Sequence, residues 1–122
     1  ADAIHNSKAL KIYICNIMTQ DGETEGMTAA DHLAALLEHG GPGLVDICLC
    51  NSTQPSRALR ERYSREDAEP LQVDRRAVEA LGAEVVLRPL MDEGADYARH
   101  SGVLVTKAVL ELYHQRADTR IF

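Results

Sequence analysis

An α/β domain, a three-strand parallel sheet with flanking helices, is the fold class this sequence predicts. Two observations carry the prediction. Short apolar runs rich in β-branched residues stand at 11–15, 44–50 and 84–87, and a segment with helical periodicity or a helix start signal follows each one. Strands that alternate with helices in this way form parallel sheets joined by right-handed crossovers. The composition agrees: 45% of the 122 residues are hydrophobic, yet only four Tyr and one Phe are aromatic and Trp is absent. Leu, Val, Ile and Ala must therefore fill the core, as in strands buried on both faces. The length is one domain's worth, enough to bury about two-thirds of the unfolded surface.

Lys11 to Cys15 (KIYIC) reads as the first strand, buried on both faces. Asn16 to Gly26 (NIMTQDGETEG) is polar and glycine-bearing, and longer than a βα turn needs. Thr28 opens a helix, with Thr28-x-x-Asp31 as a capping box in which Asp replaces the usual Glu or Gln. Leu33, Leu36 and Leu37 form its apolar stripe, and Gly40-Gly41-Pro42 stops it. Leu44 to Cys50 is the second strand and Asn51-Ser52-Thr53 its exit turn. A second helix starts at Gln54 or Pro55 and runs to about Asp67, with Pro at an early helical position. Leu71 to Val73 is an extended link, and Asp74 caps a brief helix ending at Leu81 and Gly82. Glu84 to Leu87 is the third strand. The last helix covers about Asp96 to Gln115, with a break or restart near Ser101-Gly102. Its apolar side is Leu104, Ala108, Val109, Leu112 and Tyr113. A polar tail follows from Arg116 and ends in Ile121-Phe122.

Charge and cysteine content exclude several function classes. Nineteen acidic against thirteen basic residues give a net charge of −6, which argues against a general nucleic-acid or membrane-surface binder. No apolar run approaches the roughly 20 residues of a membrane span, and the first nine residues lack a signal peptide's apolar centre. Three cysteines without framework spacing point to reduced thiols and a cytoplasmic location. Cys48 and Cys50 share one face of a strand, where burial explains them better than metal binding.

In an open parallel sheet, ligands bind outside the carboxyl ends of the strands. Those ends present Asn16, Thr19, Gln20, Gly22, Glu23 and Thr24 after the first strand, Asn51 and Ser52 after the second, and Arg88 after the third. Both of the first two strands end in Cys-Asn. Helix starts at Thr28 and Pro55 would add amide donors suited to phosphate. Residue by residue, a solvated loop explains these positions; as a group they suggest a hydrogen-bonding ligand edge. Glu23 and Glu25 fit acid/base or metal chemistry, or simply a solvated loop. Asp31-His32 is either a carboxylate answering the helix dipole or a polar pair facing the ligand loop. Arg57, Arg60, Arg62 and Arg65 interleave with acids as a salt-bridged solvent face, and Tyr63 in their midst either packs or stacks on a base. Arg99 has the fork that grips a phosphate or carboxylate. No Walker or dinucleotide glycine loop is present, and GGPG at 40–43 has the wrong order for either.

The run Asn16-Ile17-Met18-Thr19-Gln20-Asp21-Gly22-Glu23-Thr24-Glu25-Gly26, continuing to Asp31 and His32, resembles the signature of the YvcK-like gluconeogenesis factor family, relatives of the 2-phospho-L-lactate transferases of the CofD family. The flanking strands and the Arg62-Tyr63 to Pro70 stretch agree, and the resemblance covers most of residues 8 to 100. Asp21, Met27 and Ser101 stand where the family has Pro, an aromatic residue and Asp. The resemblance implies a Rossmann-like sheet, part of a larger doubly wound fold, with residues 1–122 as a single domain matching the C-terminal portion of a longer chain. It implies a UDP-sugar or related nucleotide as ligand and a regulatory role in gluconeogenic growth and cell shape. The transferase branch instead implies phospholactyl transfer from a guanosine nucleotide carrier to a deazaflavin, with magnesium. Tyr63 and Arg99 match ligand contacts, and Asn16, Thr19, Gln20 and Glu23 match the signature loop. An interaction fragment with no ligand of its own is the third expectation. The family's N-terminal glycine loop has no counterpart, so association with another copy or with that missing part is expected.

Overall fold

The computed structural model describes residues 10–19, 27–66, 68–92 and 98–121. In chain order the elements are β1 (Ile12–Ile14), α1 (Ala29–Gly40), β2 (Ile47–Asn51), α2 (Arg57–Ser64), α3 (Arg75–Ala80), β3 (Glu84–Arg88) and α4 (Gly102–Ile121). The three strands form one parallel sheet in the order β1-β2-β3, so β2 is central. Ile14 lies opposite Leu49, and Leu49 opposite Val86. The α/β class and the parallel sheet are as the sequence predicts.

The period-2 alternation of β2 splits the core into two layers. Cys48 and Cys50 point to one face, where Cys15 and Val85 join them under Ala29, Ala30 and Leu33 of α1 and Val78 of α3. Ile47 and Leu49 point to the other, with Val86 and Leu90 beneath Ala108 and Leu112 of α4. Ile47, Cys48 and Leu49 are fully buried, as a strand covered on both sides requires.

Several boundaries differ from expectation. β1 and β2 start later, at Ile12 and Ile47, because the Lys11 carbonyl and the Asp46 side chain are spent on the entry bonds between the two strands. α2 starts after Ser56, whose hydroxyl accepts from the Leu59 amide, so Pro55 precedes the helix instead of opening it. α4 starts at Gly102, with the Ser101 hydroxyl accepting from the Leu104 amide, and it continues to Ile121 where a polar tail was expected. On α4 Val105 packs onto the core, while Tyr113, expected there, is 57% exposed.

The start of α1 corrects a functional expectation. The Thr28 hydroxyl accepts from the Asp31 amide, and the Asp31 carboxylate accepts from the Thr28 amide, as the capping box requires. Asp74, expected to cap α3, makes no side-chain bond there. Its carboxylate reaches across to α1, accepting from the Thr28 hydroxyl at 2.8 Å and the Ala30 amide at 2.9 Å. The Ala29 amide donates to the Gln72 carbonyl. The first three amides of α1 are therefore all taken, and two carboxylates already answer the dipole. This helix start is not the phosphate cradle that its position suggests.

The three cysteines meet on one sheet face. All are buried, and the Cys50 thiol donates to Cys15 across 3.4 Å. Hydrogen bonds to Cys48 and Cys50, then burial, push the Cys15 thiol far up; burial also pushes the Tyr13 phenol up. The hydrogen bond with Cys15 draws the Cys48 thiol down. Groups raised on folding hold protons that the unfolded chain releases. Their contribution to stability is thus complete below the ordinary thiol value of 9.0 and is lost as pH rises beyond it. Chemical denaturation at pH 7 and pH 10 should show the midpoint falling at the higher pH. Iodoacetamide should label none of the three thiols in the folded protein and all three in urea, read by intact mass.

Candidate functional site

Residues far apart in sequence converge beyond the carboxyl end of β1. The chain leaves β1 through Asn16 and is then pinned antiparallel against the link before α3. The Thr19 amide donates to the Glu69 carbonyl at 2.8 Å, the Leu71 amide to the Ile17 carbonyl at 2.9 Å, and Met18 pairs with Pro70. On the other side the segment after β3 folds back on itself: the Asp92 amide donates to the Arg99 carbonyl, and the Ser101 amide to the Leu90 carbonyl. α2 closes the third side through Tyr63.

These three walls enclose a pocket of about 180 Å³ lined by Asn16, Ile17, Met18, Thr19, Tyr63, Ala98, Arg99 and His100. Ile17 and Met18 give it an apolar floor, and with Met91 they form a small cluster on which Tyr63 and Ala98 pack. The Tyr63 hydroxyl accepts from the Ala98 amide at 3.0 Å, tying α2 to the Arg99 segment. The Arg99 guanidinium is half exposed and pairs with the Asp92 carboxylate at 3.1 Å. The His100 ring lies 3.0 Å from the Cys15 carbonyl through Nε2.

The structure brings together four of the residues singled out from sequence: Asn16, Thr19, Tyr63 and Arg99. Asn16 is exposed at the pocket rim. Thr19 is almost wholly buried, and its hydroxyl accepts from the Glu69 amide, so it shapes the wall. Asn51 lies outside the pocket lining. Its side-chain oxygen accepts from the Thr53 and Leu90 amides, and its amide donates to the Thr53 carbonyl. Gln20, Gly22, Glu23 and Thr24 lie outside the described residues, as does Glu25. Of the Asp31-His32 pair, Asp31 is spent on the capping box, while His32 Nε2 is buried without a hydrogen-bond partner among the described residues. His100 was missed as a site residue; its place beside Arg99 was the available signal.

What the pocket offers chemically is a guanidinium, a phenol, an imidazole and an amide around an apolar floor. That set suits a polar, anionic ligand with a flat or apolar part. Ligand cavities usually enclose about 300–1,000 Å³, so this one holds a single moiety of such a ligand. Among the described residues no group of three His, Cys, Asp or Glu side chains could hold a metal ion. No described helix is long and apolar enough to cross a membrane.

Known proteins similar to this chain identify its family. The gluconeogenesis factor of Halalkalibacterium halodurans is 43% identical over 110 residues, covering 90% of this chain and 34% of the relative. That of Bacillus subtilis is 36% identical over 111 residues, covering 91% of this chain and 35% of the relative. A crystal structure of a Bacillus halodurans protein superposes with a TM-score of 0.84 at 42% identity, over 89% of this chain and 35% of that one. The chain thus spans about a third of the length of these relatives. The family described as 2-phospho-L-lactate transferase CofD matches residues 1–91. With three-quarters of its length matched and a Rossmann-like α/β fold shared with these neighbours, the chain belongs to the CofD family, and the relatives it resembles within it are gluconeogenesis factors.

Proposed function

We propose that the chain supplies one wall of a nucleotide-sugar site in a regulator of gluconeogenic growth and cell shape, with a UDP-sugar as ligand. The observation that carries this reading is the convergence of Asn16, Tyr63 and Arg99, from three separate parts of the sequence, on one pocket. Arg99 is the residue type that grips a diphosphate in a fork, and Asp92 holds that fork in place. Tyr63 offers a ring face with its hydroxyl anchored, so a ligand would meet it without first ordering it. The gluconeogenesis-factor relatives support a gluconeogenesis-related role. The pocket's small volume supports a site completed by further protein.

Isothermal titration with UDP-N-acetylglucosamine tests this. Binding is expected, with Arg99→Ala weakening it about tenfold through loss of charge-assisted hydrogen bonds. Tyr63→Phe, which releases the Ala98 amide, should weaken it less than Tyr63→Ala, which also removes the ring. Binding that is absent, or unchanged in Arg99→Ala and Tyr63→Ala, would falsify the proposal. The family's transferase description favours a second reading: magnesium-dependent release of a guanosine nucleotide with a deazaflavin acceptor, measured by nucleotide release.

A further inference from the structure

We propose that His100 is a positioning and anion-sensing residue of the pocket, locked by Nε2–H on the Cys15 carbonyl and turning more strongly anion-binding when its ring is protonated. The inference rests on the pocket being a site for an anionic ligand.

The geometry assigns the two ring nitrogens different tasks. Nε2 lies 3.0 Å from the Cys15 carbonyl, and a carbonyl only accepts, so Nε2 carries a proton in both charge states. The bond joins two walls that are 85 residues apart in sequence: the end of β1, which carries Asn16, and the segment that carries Arg99. His100 also pairs by backbone with Met91, so its own main chain is held. The ring is therefore fixed at both ends and sets the width of the pocket between Asn16 and Arg99.

Nδ1 has no hydrogen-bond partner among the described residues, and it is not one of the buried unpartnered atoms. In the neutral ring it accepts; in the protonated ring it donates and carries charge. The charged and titratable residues beside it among the described residues are the Arg99–Asp92 pair on its own segment, Tyr63 of α2, and Cys15 just past β1, whose carbonyl takes the Nε2 proton. A protonated imidazole places one positive charge beside Arg99 and leaves the Cys15 bond in place.

The unaltered chain, two variants and two probes test this. UDP-N-acetylglucosamine and sulfate both keep their charge between pH 6 and pH 8, so any pH dependence belongs to the protein. The unaltered chain should bind both about fivefold more tightly at pH 6 than at pH 8, the size of one added charge at a half-exposed site. His100→Gln places an amide N–H near the Nε2 position and cannot be protonated. It should keep the pH 8 affinity at both pH values. His100→Ala should bind more weakly than His100→Gln throughout, because the wall is released. Nitrogen-detected NMR of the ligand-free protein should show the Nε2-protonated tautomer for His100. A pH slope retained in His100→Gln, a flat profile in the unaltered chain, or the Nδ1-protonated tautomer would each overturn the proposal. Sulfate binding with the expected profile but no binding of the UDP-sugar would sustain the role of His100 and remove the nucleotide-sugar reading. Failure to bind either probe would end both.

Discussion

Asn51→Ala is expected to destabilise the protein by about 3 kcal/mol, one of the largest losses available from a side chain outside the hydrophobic core. Its oxygen accepts from the Thr53 amide at 3.1 Å and the Leu90 amide at 3.0 Å, and its amide donates to the Thr53 carbonyl at 2.7 Å. Leu90 is fully buried, so truncation strands a backbone donor away from water, which is the costly half of losing a hydrogen bond. Asn51→Asp keeps both accepted bonds and sets a carboxylate against the Thr53 carbonyl, so its loss should be smaller. Urea denaturation reads both. The damage should also travel, because the Leu90 carbonyl holds the Ser101 amide and the Asp92 amide holds the Arg99 carbonyl. Hydrogen exchange at Asp92 and Ser101 should accelerate in Asn51→Ala. A variant that loses ligand affinity with stability and exchange unchanged would show Asn51 to be a direct ligand contact, as its place at a strand end first suggested.

The contrast between Asn51 and Asn16 explains how far the sequence could be read. Both follow a cysteine at the end of a parallel strand, and strand ends are where α/β proteins bind ligands. Nothing in the pattern tells that β2, being central, needs its asparagine to hold the adjoining turn and Leu90, while β1 leaves Asn16 exposed at the pocket. That difference is set by strand order, which local sequence does not encode. Strand runs, glycine stops and the Thr28–Asp31 capping box are local and were legible. The site was legible only in part. Tyr63 and Arg99 stood out through resemblance to a family, but their meeting depends on the Tyr63–Ala98 bond between distant segments. His100 has no periodicity or motif of its own that would reveal its bond to the Cys15 carbonyl. Helix starts were misplaced for a related reason. Pro55 and Asp74 are both good start residues, yet Ser56 and the distant Thr28 took the available bonds.

Asp74→Ala carries the second large expectation, a loss of about 2–3 kcal/mol. The usual reason for an Asp before a short helix is to cap that helix, and this one caps another. Its two oxygens separately take the Thr28 hydroxyl and the Ala30 amide at the start of α1, which delivers Ala29, Ala30 and Leu33 to the sheet. Ala30 is buried, so removing the carboxylate leaves its amide unsatisfied near the positive end of a twelve-residue helix. Asp74→Asn keeps one acceptor for the Ala30 amide but loses the charge and the acceptor for the Thr28 hydroxyl, so about 1–2 kcal/mol is expected, short of the loss in Asp74→Ala. Thr28→Ala removes the shared hydroxyl, and the double variant with Asp74→Ala should lose less than the two singles added, because both act at one helix start. The single-residue counter-case is Arg76→Ala on the exposed side of α3, expected to stay within about 0.5 kcal/mol. Thermal and urea denaturation of the five variants decide the matter. An Asp74→Ala loss no larger than that of Arg76→Ala would mean that water replaces the carboxylate at the start of α1, and that α1 is held to the sheet by Leu33 and its neighbours alone.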